Sequence, residues 1–249
     1  MIENKIKELK IKFNKIQKLG YVESTSKNRG NIGLTFEKLL GKENDNLSVA
    51  DYDGIELKVK HGFSKTYITL FSLVPSGESF FENKRLRQKF GYYDEDFPKI
   101  KVLNRSVWCN YKNELKNGYK ISIEISYTNK IIYLCIYNEN NKLIDKNTFW
   151  YFSDVKEALN RKMNILALIK AWPKRTKEKI YYRYYSMEFY KLKNFDTFLK
   201  LLEKGFIRID IQLGVFKSGP KIGQEHDHGI TFGIKECDLL KLYDKYEVA

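Results

Sequence analysis

Cysteine is scarce in this chain: Cys109, Cys135 and Cys237 lie far apart, and none belongs to a CxxC pair. The odd number and wide spacing argue against a disulfide framework and a structural zinc site, so the thiols are expected to be reduced and mostly buried. A long apolar run is also lacking. The first segment, MIENKIKELKIKFNKIQKLG, is broken by lysine throughout. It offers neither the core of a signal peptide nor a membrane span, and a cytoplasmic protein is expected. Acid is the third shortage, with 31 Asp and Glu against 45 Lys and Arg and a net charge of +14. Such a field concentrates polyanions, nucleic acid foremost. Lysine spread over every solvated face gives the same count, so charge alone does not decide between the two.

What is present begins with enough apolar material for a core: 43% hydrophobic and 15% aromatic residues over 249 positions. The expectation is one domain over residues 1–249 with two lobes, about 1–110 and about 111–249. Ile2, Ile6, Leu9, Phe13 and Ile16 recur at helical spacing, which predicts an amphipathic helix over 2–19 ending near Gly20. A short helix carrying Glu37 is expected over 34–40, closed by Gly41. In IELKV, Ile55, Leu57 and Val59 alternate with Glu56 and Lys58, and Lys60 follows. That is a strand with one apolar face and one charged outer face. YITLFSLV, from Tyr67 to Val74, is apolar on both faces and fits a sheet centre.

Further along, residues 80–90 read as a basic helix, and KISIEISY with KIIYLCIY as a hairpin. Val155, Leu159, Met163, Leu166 and Ile169 predict one helix from Asp154 to Trp172, stopped by Pro173. FDTFLKLLEKG reads as a helix and FIRIDIQL as a strand, leaving FKSGPKIGQEHDHGITFGI as a loop. Tyr181, Tyr182, Tyr184 and Tyr185 suit core packing better than base stacking. Helices interleaved with hairpins indicate an α+β or mixed-sheet α/β fold.

One segment carries chemistry. Hydrolysis of a phosphodiester needs an activated water, a sink for charge on phosphorus and help for the leaving oxygen. Hard divalent cations held by oxygen ligands supply these, and a neighbouring lysine orients the water. ADYDGIELKVK contains such a set. Glu56 and Lys58, two apart on a strand, leave the same face, and Leu57 anchors the strand with its carbonyl near the metal. Asp51 folds back beside Glu56 across a turn that Gly54 permits. Asp53 is its rival and suits the shaping of that turn.

The run GNIGLTFEKLLGKENDNLSVADYDGIELKVK, followed by YITLFSLVP, resembles the signature of the MvaI/BcnI restriction endonuclease family, which is similar in turn to the nicking enzyme MutH. The Glu-x-x-Leu-Gly element ending at Gly41, the pair Glu43 and Asn44, LRQKFGYYD, GFIRIDI and HDHG extend the likeness along nearly the whole chain. The resemblance implies a PD-(D/E)XK fold, a mixed central sheet flanked by helices, with two lobes around a DNA cleft. It also implies a monomer with one Mg²⁺-dependent site that leaves 5′-phosphate and 3′-hydroxyl ends. Carried over position by position, Asp51, Glu56 and the Leu57 carbonyl hold the metal, Lys58 orients the attacking water, and Glu37 completes the site. Mn²⁺ is expected to substitute, and Ca²⁺ to support binding without cleavage. Ala50 stands where this signature often has proline, a departure that concerns the turn rather than the chemistry.

HDHG admits three readings. Without cysteine nearby, and with His61 the only other histidine, His226 and His228 make a poor zinc site. A solvated loop is the plain alternative. The favoured reading is that His226, Asp227 and His228 meet base edges in a groove of duplex DNA. Arg208, Asp210 and Gln212 share one face of the strand leading there: arginine suits guanine, and Asp210 suits cytosine or holds Arg208 in place. Asn31 before the Glu37 helix and Lys221 in the loop are further expected DNA contacts. A methylation-directed nicking enzyme and a non-catalytic basic DNA-binding protein are the competing expectations.

Overall fold

In the computed structural model the described residues are 2–25, 31–41, 50–76 and 81–247, and they form two compact units that are discontinuous in sequence. The first comprises residues 1–66, 160–193 and 239–249, and the second 67–159 and 194–238. A boundary near residue 110 is therefore not where the compact units divide. The reason is strand pairing: the segment after residue 164 returns to lie parallel to Ile55–His61.

In the first unit, helix α1 (Ile2–Lys18) buries Ile6, Leu9, Phe13 and Ile16, the stripe that its apolar spacing predicts. Strand β1 (Val22–Glu23) and helix α2 (Ile32–Leu39) follow, and α2 is closed by Gly41 at φ 78°. Strand β2 (Ile55–His61) ends the first pass through this unit.

The second unit runs through β3 (Tyr67–Ser72), α3 (Glu82–Phe90), β4 (Tyr92–Tyr93), β5 (Lys101–Val107), β6 (Asn113–Glu114), β7 (Lys120–Ser126), β8 (Ile131–Tyr137) and β9 (Leu143–Tyr151). Helix α4 (Phe152–Met163) leads back to the first unit, which continues with β10 (Ile165–Arg175) and β11 (Ile180–Leu192). Helix α5 (Phe195–Glu203), β12 (Ile207–Val215) and β13 (Glu225–Lys235) belong to the second unit, and α6 (Leu239–Leu242) with β14 (Tyr243–Lys245) to the first. Among the described residues no helix is long and apolar enough to cross a membrane.

The first unit is built on a mixed sheet in the order β1-β11-β10-β2, with β14 added to β11. Strands β2 and β10 are parallel, and β10 and β11 antiparallel. On one face Ile55, Leu57, Ile165, Ala167 and Ile169 meet the apolar stripes of α1 and α2, with Phe36, Tyr182 and Tyr184 fully buried among them. Of the tyrosine run, Tyr182 and Tyr184 are core, while Tyr181 and Tyr185 are only partly buried.

The second unit holds two sheets, β3-β13-β12-β5-β4 and β6-β7-β8-β9. Strands β7 and β8 form the expected hairpin.

Four expectations are corrected. The apolar series from Asp154 to Trp172 is not one helix, because α4 ends at Met163 and β10 begins at Ile165. Residues 165–169 are all buried, since β10 lies between β2 and β11 and is covered on both faces. A short, wholly apolar segment of that kind carries no period to separate strand from helix. Pro173 sits beyond Ala171, the last β10 residue paired with β2, where a missing N–H is tolerated.

Strand β3 is an edge strand, not a central one. A bulge opposite Phe232/Gly233 leaves Leu70 outside the pairing, so Leu70 and Phe71 are buried in succession although only one edge is hydrogen-bonded. HDHG is part of β13 rather than a loop, because β12 pairs with it along its length. The charged face of β2 is not an outer face: Glu56 is 1% and Lys60 8% exposed.

Phe36 is fully buried between Phe13 and Tyr184, with ring centroids 6.2 and 5.0 Å away. Phe36→Ala should cost about 3–5 kcal/mol, read as a lowered urea midpoint at unchanged slope. An unshifted midpoint would show that α2 contributes little to this core.

Candidate active site

Asp53 and Gly54 form a two-residue turn with φ 46° and 90°, the left-handed pair of a type I′ hairpin turn. Tyr52 and Ile55 close it with reciprocal backbone bonds of 2.9 and 2.8 Å. Helix α1 clamps this turn: Lys5 Nζ lies 2.8 Å from Asp53, and the Tyr52 hydroxyl donates to Glu8 at 2.9 Å. Asp53 thus serves the turn, while Asp51 is carried back along β2 and accepts a bond from the Leu57 N–H at 3.0 Å.

That bond fixes the edge. A residue's N–H and C=O leave an extended strand on the same side. The Leu57 N–H is turned to Asp51 on the side away from β10, so its carbonyl leaves on that edge too. The Asp51 carboxylate and the Leu57 carbonyl, both hard oxygens, therefore lie on the edge where β2 has no sheet neighbour among the described residues.

Glu56 leaves the opposite face from the α1–α2 core and is 1% exposed. Its Oε1 is 2.7 Å from Lys58 Nζ and 3.6 Å from Lys162 Nζ on α4. Its Oε2, also buried, has no hydrogen-bond partner among the described residues. Burial raises the Glu56 pKa above its ordinary value; Lys58 pulls it down and Asp51 pushes it further up. A buried carboxylate with one orphaned oxygen beside a second carboxylate fits a hard divalent cation.

Of the residues singled out in the sequence, Glu56 and Lys58 are paired at 2.7 Å, and Asp51 is held on the Leu57 N–H of the same strand. Glu37 is half-buried on α2, which packs on the Leu57 face of β2. Among the described residues no three His, Cys, Asp or Glu side chains are placed to hold one ion, so Glu37 stands outside the Asp51–Glu56 pair. The pair Glu43 and Asn44 lies outside the described residues.

In the second unit, β12 pairs with β5 so that Asp210 lies opposite Ser106 and Gln212 opposite Asn104. Together with Trp108 and Arg208 they line a cavity of about 540 Å³. The Arg208 guanidinium stacks on Tyr67 at 3.6 Å, with Trp108 at 5.8 Å, and its Nε donates to Asp210 at 3.0 Å. Ser106 donates to the other Asp210 oxygen. Asp210 therefore holds Arg208, and the guanidinium is fixed before any ligand arrives.

In β13 the pairing jumps from Gln212↔Gly229 to Leu213↔Asp227, so His228 is the extra residue of a bulge and Gly229 takes φ 81°. His226 stacks on Phe216 at 3.7 Å and lies 3.7 Å from the His228 ring. Desolvation and then His228 hold its pKa below the ordinary histidine value. Asp227 accepts bonds from Gly229 N–H at 2.6 Å and Asn83 at 3.0 Å. Lys221 lies over Phe216 at 5.9 Å. Asn31, in the first unit, precedes α2 and makes no side-chain cap bond.

Sequence reasoning missed Asn104, Ser106 and Trp108, although their two-residue spacing in LNRSVW was a usable signal. It also missed Lys162 and the buried Tyr243, for which no local pattern exists.

An acidic pair and a lysine on the edge strand of a mixed sheet, with helices behind it, define a restriction-endonuclease-like nuclease. The model of the MvaI/BcnI restriction endonuclease family matches residues 10–243, and the chain belongs to that family, the type II restriction endonucleases. Solved structures agree. The chain is similar to restriction endonuclease MvaI in complex with its cognate DNA substrate, with 30% identity, 98% of each chain covered and a TM-score of 0.90. MvaI in the absence of DNA matches at the same identity and coverage with a TM-score of 0.62. No curated protein matches.

A raised carboxyl pKa means that the folded protein holds the Glu56 proton more tightly than the unfolded chain. The stability this gives is full below the ordinary value of 4.5 and is lost as pH rises through the higher folded value. Glu56→Gln should therefore unfold at the same or a higher temperature than wild type at neutral pH without divalent ions. A clear fall in Tm would show that the ionised carboxylate stabilises the metal-free fold.

Proposed function

We propose that this enzyme hydrolyses phosphodiester bonds of duplex DNA at a short specific sequence, using Mg²⁺ held by Asp51, Glu56 and the Leu57 carbonyl. The observation that carries this reading is the Asp51–Leu57 bond set against the buried Glu56–Lys58 pair. Bound there, Mg²⁺ would supply Lewis acidity toward the scissile phosphate and a water acidic enough to attack it.

The protein's own contribution is positioning. Lys58 shares the Glu56 face and is 23% exposed, so its ammonium can hold the attacking water and offset charge growing on phosphorus. Glu37, on α2 and outside the Asp51–Glu56 pair in the metal-free protein, is the third acidic residue of the family pattern. Mn²⁺ should replace Mg²⁺, and Ca²⁺ should support binding without turnover.

For base reading, the fixed Arg208 fork is suited to the O6 and N7 acceptors of guanine, with Asp210 and Ser106 keeping it in plane. Gln212, His226, Asp227 and His228 add donors and acceptors along the paired strands, and Lys221 and Asn31 add backbone contacts. The net charge of +14 favours duplex DNA and should make affinity fall steeply with salt. We place the enzyme in the cytoplasm, where Cys109, Cys135 and Cys237 remain free thiols.

The enzyme acts as a monomer with one site, which cannot address two antiparallel strands in one pose, so the strands are cut in turn. On supercoiled plasmid under single-hit conditions a nicked circle should precede linear DNA. Linear product with no nicked precursor at any enzyme concentration would rule out the monomer.

Asp51→Ala and Lys58→Ala should each lower kcat by about 100- to 1,000-fold or more, while DNA binding in Ca²⁺ survives in Lys58→Ala. Unimpaired cleavage by both variants would end the assignment of this site.

A further inference from the structure

Tyr243 is fully buried, and its hydroxyl has no hydrogen-bond partner among the described residues. A phenol can be a core residue, but its O–H is a donor that costs free energy when buried unpaired. Sheet register shows where it points. Glu56 pairs with Leu166, Leu166 with Tyr190 and Tyr190 with Lys245, so these four side chains leave one face. Tyr243 is two residues before Lys245, opposite Leu192, and therefore leaves the same face as Glu56. Its ring packs edge-on against Tyr190 at 6.5 Å, between its own strand and β2.

The two orphaned polar atoms buried on this face are the Tyr243 hydroxyl and Glu56 Oε2. Burial, and after it the Glu56 carboxylate, push the Tyr243 pKa up. A cation explains only half of this pairing. It can satisfy Glu56 Oε2, but it cannot accept a hydrogen bond from a phenol. A carboxylate oxygen accepts two bonds, so one can come from the metal on the Asp51 side and one from the Tyr243 side.

We propose that Tyr243 is a positioning residue for Glu56, its hydroxyl bonded to Oε2 through one bridging water. This rests on the nuclease reading of Glu56. Its role is to fix the carboxylate plane from the core side, so that Glu56 presents its other lone pairs to Lys58 and to the cation. Outer partners of metal-binding carboxylates act in this way, and their loss reduces metal affinity or activity about 10–100-fold.

Tyr243→Phe keeps the ring and removes only the hydroxyl, so a residue that merely packs would tolerate it. The full chain carrying Tyr243→Phe should cleave plasmid about 10–100-fold more slowly and need more Mg²⁺ for half-maximal rate. It should also lose part of the rise in Tm that Ca²⁺ gives the wild type, with metal-free Tm unchanged or raised. In a Glu56→Gln background, adding Tyr243→Phe should leave the Ca²⁺ response where Glu56→Gln alone puts it.

Wild-type cleavage and an unaltered Mg²⁺ requirement in Tyr243→Phe would overturn the proposal. So would an equal loss of the Ca²⁺ response from Tyr243→Phe in both backgrounds, because the hydroxyl would then not act through Glu56. Full cleavage by Glu56→Gln itself would be a different failure, that of the nuclease site as a whole. Should Tyr243→Phe fold poorly, 3-fluorotyrosine at position 243 keeps the donor but strengthens its acidity. It should retain the wild-type Mg²⁺ requirement, and a tenfold change there would equally overturn the proposal.

Discussion

The site depends on one bond, from the Leu57 N–H to the Asp51 carboxylate. Everything that makes it possible is local: a left-handed Asp53–Gly54 pair turns the chain, Tyr52 and Ile55 close the turn, and α1 holds it through Lys5 and Glu8. Any L-residue at position 54 would be strained at φ 90°, although its Cβ would meet Ile2 at an ordinary van der Waals distance of 3.9 Å. The turn sets Asp51 against a sheet edge that has no neighbour among the described residues, and that edge gives the Leu57 carbonyl a direction.

Burial and chemistry then pull against each other at Glu56. Its side chain is buried on its face of β2, which raises the free energy of the ionised carboxylate. Two lysines offset part of this, and one oxygen remains unsatisfied. A buried carboxylate oxygen with no partner among the described residues is the feature that suits the cation proposed for this site. The face proposed to read bases, in the second unit, is prepared in a related way. Arg208 is stacked on Tyr67 and paired with Asp210 in the free protein, so little side-chain entropy would be lost if it meets a base as proposed.

Much of this was legible in the sequence where structure is local. The α1 stripe, the β7–β8 hairpin, α5 and the β12 alternation follow from spacing alone, and the Asp51, Glu56 and Lys58 set follows from strand geometry plus one glycine. What was not legible was created by tertiary pairing. Residues 165–169 are apolar because β10 is covered on both faces, and such a run looks the same in a helix. Leu70 and Phe71 are buried in succession because of a bulge, which hides the edge character of β3. HDHG is polar and ends in glycine, so it reads as a loop until β12 is seen to pair with it. Glu56 is 1% exposed, with Lys162 from far along the chain 3.6 Å away, and nothing in ELK announces that.

The most direct measurement is anomalous diffraction from crystals of this enzyme soaked in Mn²⁺. The account predicts one dominant peak bounded by the Asp51 carboxylate, the Glu56 carboxylate and the Leu57 carbonyl, lost in Asp51→Ala crystals. A dominant peak at His226 and His228, or no peak beside Glu56 at saturating Mn²⁺, would contradict it.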